Sequence, residues 1–249
     1  MKLTDNCFAV LGLGYSPPWV VNSGFVVGSE KTLIVDSGPM YLAAQTIYGY
    51  AKNIKPKNEM IVVNTEKHFD HIGGNSFFKE KGIKIYAHEK NIRTEKEFDE
   101  EKKYFNKIID NTKRRDANEE KIFFQSTTMV KPDYSLNDNE IFLLGNNVEA
   151  KIISTPGHTQ TNISIFIPQD KVLYCGDCIT NGYIPNLEAG NEDDWKIWLK
   201  SLELISSLDL DFIVPGHGNM IFGSDINERI TVIRKTIEEA IIKGKAPTI

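Results

Sequence analysis

Cysteine is scarce in this chain: Cys7, Cys175 and Cys178 are the only three among 249 residues. An odd count does not build a disulfide framework, so reduced thiols are expected. Long apolar runs are missing too, and nothing approaches the roughly 18 residues that a membrane-crossing helix needs. The start MKLTDNCFAV has no charged region followed by a long apolar one, as an export signal would. A cytoplasmic protein without membrane contact is expected. Positive charge is in deficit, with a formal net charge of −5, which argues against a broad basic face and so against nucleic acid as a partner. No Pro/Gly/Ser-rich linker divides the chain, and one domain over residues 1–249 is expected. What is present is ordinary for a globular protein: hydrophobic 41%, charged 25% and aromatic 10%, which excludes both disorder and a fibrous repeat.

Short β-rich runs separated by glycine turns occupy residues 7–11, 24–27 and 32–35, the last ending in Asp36-Ser37-Gly38. Residues 39–52 have helical spacing, and 60–63 form an apolar strand that leads directly into a polar cluster. A short helix is expected at 76–81 and a strand at 83–86. In the second half, strands are expected at 141–144, 149–154, 163–167, 172–174 and 212–214, with helices at 193–207 and 225–243. Two βα-type halves of this kind make an α/β sandwich. Between them, residues 90–121 carry ten Lys/Arg and nine Asp/Glu. The signs nearly cancel, so the charges form a solvated face and not a binding patch. With Phe98 and Phe105 on one helical face, the segment from about 90 to 135 is read as a helical insertion, either a lid or a plain surface excursion.

Four of the five histidines follow apolar strands. His68 and His71 come after 61–63, His158 after 152–153 and His217 after 213–214, while Asp177 follows 172–174. Polar groups on adjacent strand ends converge on one rim, and a rim of imidazole and carboxylate suits a borderline cation such as zinc. In the run Asn64-Thr-Glu-Lys-His-Phe-Asp-His71, extended backbone would place Glu66, His68 and Asp70 on one face, with His71 turning inward at the loop. The fifth histidine, His88, is read as structural. Cys175-Gly-Asp-Cys178 matches a redox spacing but opens no helix, and Gly12-Leu-Gly14 lacks the third glycine of a dinucleotide loop, so a tight turn is expected there.

The segments Thr65-Glu-Lys-His-Phe-Asp-His71, Pro156-Gly-His158, Gly176-Asp177 and Pro215-Gly-His217, with the early Asp36-Ser-Gly38, resemble the metallo-beta-lactamase superfamily. Its signature is H-x-H-x-D-H followed by a distant His, Asp and His. The resemblance spans nearly the whole chain and implies a four-layer αββα sandwich, with two mixed β-sheets, flanking helices and a dinuclear metal site at one edge. It implies that His68 and His158, with position 66, hold a first metal, that Asp70, His71 and His217 hold a second, and that Asp177 bridges them. The metals would be two divalent ions, zinc first, with iron or manganese as alternatives. The departure is Glu66, where the family has histidine. A third carboxylate favours a harder metal and lowers the Lewis acidity of the first position. The activity implied is hydrolysis of a small ester, thioester, lactone, β-lactam or phosphodiester by a metal-activated hydroxide, with Asp70 orienting it or shuttling its proton. Two alternatives stand beside it: a non-haem iron oxidoreductase resembling a persulfide dioxygenase, and a metal-binding protein impaired by Glu66. Thr159, Gln160, Asn162, Tyr183 and Asn186 are candidates for the substrate rim.

Overall fold

The computed structural model describes residues 1–14, 20–91, 93–108, 124, 126–188 and 190–247. Alternating apolar positions in the strands decide the layers. In β4 (Glu59–Asn64), Ile61 and Val63 face a core shared with the second half of the chain, while Met60 and Val62 face helices. The same split recurs in β10 (Val172–Tyr174), where Val172 and Tyr174 turn one way and Leu173 the other. A strand buried on both faces needs a layer on each side.

Among the described residues, twelve strands in two six-stranded sheets satisfy that need. The first sheet runs in chain order through β1 (Cys7–Leu13), β2 (Val21–Val27), β3 (Lys31–Val35), β4, β5 (Lys84–His88) and β6 (Tyr134–Leu136). Its first two pairings are antiparallel and the next three parallel. The second sheet is ordered β12 (Ile221–Phe222), β11 (Phe212–Val214), β10, β9 (Ile163–Ile167), β8 (Val148–Ser154) and β7 (Ile141–Gly145). It is antiparallel except for the β10–β11 pair. Both sheets are therefore mixed.

Three apolar cores separate four layers. Between the sheets pack Val26, Leu33, Val63, Ile152, Ile165 and Tyr174, among others. Outside the first sheet, Ala44 and Ile47 of α1 (Tyr41–Ile54) and Phe77 and Phe78 of α3 (Asn75–Glu80) cover Phe25, Ile34 and Val62. Outside the second, Trp198 and Leu202 of α5 (Glu192–Ser206) and Ile233 and Ile237 of α6 (Asp225–Lys243) cover Leu173 and Ile213. Helix α5 starts slightly before its periodicity suggests because Asn191 caps it. The Asn191 side chain accepts from Asp193 N at 2.9 Å, and Asp194 Oδ2 accepts from Asn191 N at 3.1 Å.

The expected αββα sandwich is present, with three local differences. Strands β6 and β12 are too short for a two-residue alternation to register. The run after β4 is extended only to His68 (φ −66°, ψ 150°), and then Phe69–Ile72 closes a helical turn, α2. The 90–135 segment contains α4 (Glu95–Ile108); residues 92, 109–123 and 125 of that expected insertion lie outside the described residues. No helix among the described residues is long and apolar enough to cross a membrane.

Candidate metal centre

The turn α2 changes how the ligand run is presented. One face of extended backbone would have grouped Glu66, His68 and Asp70. The helical turn instead swings Asp70 and His71 together to a second group, while Phe69 and Ile72 pack beneath against Phe98 of α4. Donor atoms within 4.8 Å of one another form Glu66–His68–His158 and, separately, Asp70–His71–His217. These are the two ligand sets that the family resemblance implies.

Asp177 lies between them. Its Oδ2 is 3.5 Å from His158 Nε2 and 3.2 Å from His217 Nε2, and its Oδ1 is 3.3 Å from His71 Nε2. His217 Nε2 is also 3.2 Å from Asp70 Oδ2, and His158 Nε2 is 3.1 Å from His68 Nδ1. The structure thus brings all seven sequence-selected residues to one rim, fed by the ends of β4, β8, β10 and β11.

The far side of three imidazoles is fixed by an acceptor. His71 Nδ1 donates to Asp36 Oδ2 at 2.9 Å, His158 Nδ1 to the Asn186 carbonyl at 3.1 Å and His217 Nδ1 to the Val20 carbonyl at 2.8 Å. In the neutral ring each bond sets the tautomer that leaves a lone pair on the inward-facing Nε2, as a metal-binding histidine requires. Asp36 also accepts from Thr65 N and Thr65 Oγ1, both at 2.7 Å, so one buried carboxylate holds both ends of the motif. Asn22 of the first sheet donates to the Pro215 and Gly218 carbonyls of the second, at 2.9 and 2.8 Å, tying down the loop that carries His217.

The glycines of the two Pro-Gly-His segments answer to crowding. A Cβ on Gly216 would sit 1.9 Å from Asp177 Oδ1, and one on Gly157, which has φ +146°, would sit 2.2 Å from Trp198 Cβ. A side chain at either place would displace a metal-facing residue or the helix behind it.

Both oxygens of Glu66, His71 Nε2 and Asp177 Oδ1 are buried without a partner in hydrogen-bond geometry. Unpaired buried polar atoms of this kind are costly. Here they converge from different elements, with the mixed imidazole and carboxylate chemistry that divalent cations take. The residues therefore fit a metal pair.

The charges are arranged to match. Burial pushes the Asp177 carboxyl up, but His217 and His71 outweigh it and hold the group well below the usual carboxylate range. Burial is likewise overcome at Asp70, held at about 2 by His71 and His217. His71 and His217 are raised well above the ordinary imidazole value because Asp177 and Asp70, with Asp36 beside His71, outweigh their burial. Without a cation the rings themselves carry the charge that balances the carboxylates.

The other sequence-selected residues belong to none of the donor groups. Asn162 is fully buried and donates to Thr155 Oγ1 at 3.0 Å and to the Cys175 carbonyl at 3.2 Å, which makes it scaffold and not a substrate contact. Thr159 is buried against Thr161, and Gln160 is exposed beside Asp194. Tyr183 and Asn186 contribute carbonyls, to Arg229 and to His158. His88 Nδ1 accepts from Lys90 N at 3.1 Å, a local turn bond. Cys175 and Cys178 are fully buried, and burial pushes the Cys178 thiol up to about 12, so the pair is inert packing. Gly12 bends β1 at φ +72° and donates to Asn22 Oδ1 at 3.0 Å, as a turn.

A family model described as the metallo-beta-lactamase superfamily matches residues 16–217. An acyl-coenzyme A thioesterase of Gallus gallus is 26% identical over 212 residues, 82% of this chain and 74% of that protein. A metallo-beta-lactamase type 2 of Bacillus cereus is 27% identical over 227 residues, 88% of this chain and 76% of that one. A metallo-beta-lactamase family protein from Thermus thermophilus superposes with a TM-score of 0.68 at 19% identity, covering 94% of this chain and 81% of that one. The last likeness speaks to the fold alone.

Proposed function

The chain belongs to the metallo-beta-lactamase superfamily, and from that premise we propose that it is a dinuclear metal hydrolase acting on a small carboxylic acid derivative. The supporting observation is the pair of donor triads on either side of Asp177, with buried ligand atoms left unpartnered between them. Glu66, His68 and His158 would hold one cation, Asp70, His71 and His217 the other, and Asp177 both. Zinc is the first expectation, with iron or manganese favoured to the extent that Glu66 hardens the first position. Such cations supply Lewis acidity and bring a water's pKa towards neutrality.

The chain's own residues then orient and move protons. We assign to Asp70, one carboxylate oxygen of which is 3.2 Å from His217 Nε2, the orienting of the attacking water or the shuttling of its proton. His68, a quarter exposed at its side chain while Glu66 is fully enclosed, marks the open side through which substrate arrives. Three carboxylates offset most of the charge of two divalent cations, so the pull on an anionic phosphodiester is weaker than a site of neutral ligands would exert. Thioesters and β-lactams, the substrates named for two relatives, head the panel. We read residues 1–249 as one domain in which α4 packs behind the turn that carries Asp70 and His71.

Zinc-loaded protein is expected to hydrolyse an acyl-coenzyme A thioester or a β-lactam faster than bis(p-nitrophenyl) phosphate. The rate should vanish on chelation, and Asp70→Asn should cut it by about 10²-fold or more. A protein holding two zinc ions that turns over none of the three would sink this reading. The acidic ligand at position 66 supports one competing reading, an iron oxidoreductase, which iron content on isolation together with oxygen consumption would reveal.

A further inference from the structure

Glu66 belongs to two donor groupings at once. Besides Glu66–His68–His158, its carboxylate completes a group with His71 and Asp177, two residues that face the other triad. Its Oε2 lies 2.9 Å from His68 Nδ1, while Oε1 lies 3.4 Å from His71 Nε2 and 3.5 Å from His158 Nε2. Oε2 thus faces His68 of the first triad, while Oε1 stands between His158 of that triad and His71 of the other, and both oxygens are buried with no hydrogen-bond geometry to any partner. The main chain behind them is pinned, since Asn91 Nδ2 donates to the Glu66 carbonyl at 2.9 Å.

An imidazole at this position would offer one nitrogen inward and serve one metal. A carboxylate offers two oxygens, each able to accept. We propose that Glu66 bridges the two metal positions, one oxygen to each, as a second bridge beside Asp177. This rests on the dinuclear reading above and makes position 66 a shared ligand where histidine would be a terminal one. Its consequence is that the two metals bind as a linked pair.

The test is zinc competition against a chromophoric chelator, giving two stepwise dissociation constants for the parent, Glu66→Ala, Glu66→His and His158→Ala. The parent is expected to bind two zinc ions. His158→Ala removes a ligand of one side and should weaken one constant. Glu66→Ala should weaken both, each by more than the roughly tenfold that loss of an outer-shell partner costs. Glu66→His should recover one constant and leave the other weak. A Glu66→Ala protein with one constant within about twofold of the parent overturns the bridge. A parent that binds fewer than two ions overturns the dinuclear reading itself, and the bridge with it. A crystal of the zinc-loaded parent needs no variant: anomalous scattering should place one Glu66 oxygen on each ion at about 2.0–2.2 Å, and both oxygens on one ion would refute the bridge.

Discussion

His71 and His217 each face two or more carboxylates, and that crowding gives the metal-free protein a distinctive pH response. Their values are raised, so the stabilisation they bring is complete below the ordinary imidazole value of about 6.5 and is lost as pH rises through the raised values. Asp70 and Asp177 are lowered, so their contribution holds above about 3.9 and is lost only in acid. The chelated protein is therefore expected to lose thermal stability as pH climbs from about 6.5 into the alkaline range. The zinc-loaded protein should not, because bound rings are already neutral. Loading near neutrality should also release protons, measurable as a buffer-dependent heat; a chelated protein with flat stability across that range would contradict the arrangement. At this same scale the residues that converge on the rim were legible in the sequence, because Glu66, His68, Asp70 and His71 share one short run and the rest sit beside glycine or at a strand end. Their supports were not. Asn22, the Val20 carbonyl and the Asn186 carbonyl carry no chemical signature, and each meets a ligand-bearing loop more than 25 positions away along the chain.

Among the elements, α2 and α4 form the unit on which the second triad depends. Phe98 is fully buried against Phe69 and Ile72, with ring centroids of Phe69 and Phe98 4.8 Å apart. Glu101 of α4 accepts from Phe69 N at 3.3 Å and pairs with Arg93. The helix that opens the 90–135 segment thus braces the turn that carries Asp70 and His71. Phe98→Ala should cost about 3–5 kcal/mol of stability and weaken zinc binding at Asp70–His71–His217 more than at Glu66–His68–His158. Equal weakening of both would mean that α4 braces the fold and not the turn. Periodicity located α4 through Phe98 and Phe105 but could not show α2, since four residues with polar Asp70 and His71 at the centre display no apolar period. Tertiary packing of Phe69 and Ile72 decides that conformation.

Across the whole molecule, the order of strands and helices was readable because the central strands of both sheets are buried on two faces and advertise it in dense Val, Ile and Leu. The way the sheets meet was not. Tyr174 of β10 reaches over the central core to β1, where its hydroxyl accepts from Phe8 N at 3.1 Å and donates to the Phe8 carbonyl at 3.0 Å. Gly24 clears its path, as a Cβ there would lie 2.3 Å from the ring. Tyr174→Phe strands a buried N–H at a cost of about 1–3 kcal/mol, which lowers Tm by about 2–4 °C per kcal/mol in a chain of this size. Zinc content should stay at the parent level, and an unchanged Tm would show that the tie carries no weight.

Each donor triad takes two members from the first sheet and one from the second: Glu66 and His68 with His158, Asp70 and His71 with His217. Neither half of the molecule owns a complete set of ligands. Cations held there would stitch the two layers together, so their binding free energy would add to the stability of the sandwich and shear of one sheet against the other would loosen them. Affinity for a cation and alignment of the sandwich would then be linked, each strengthening the other.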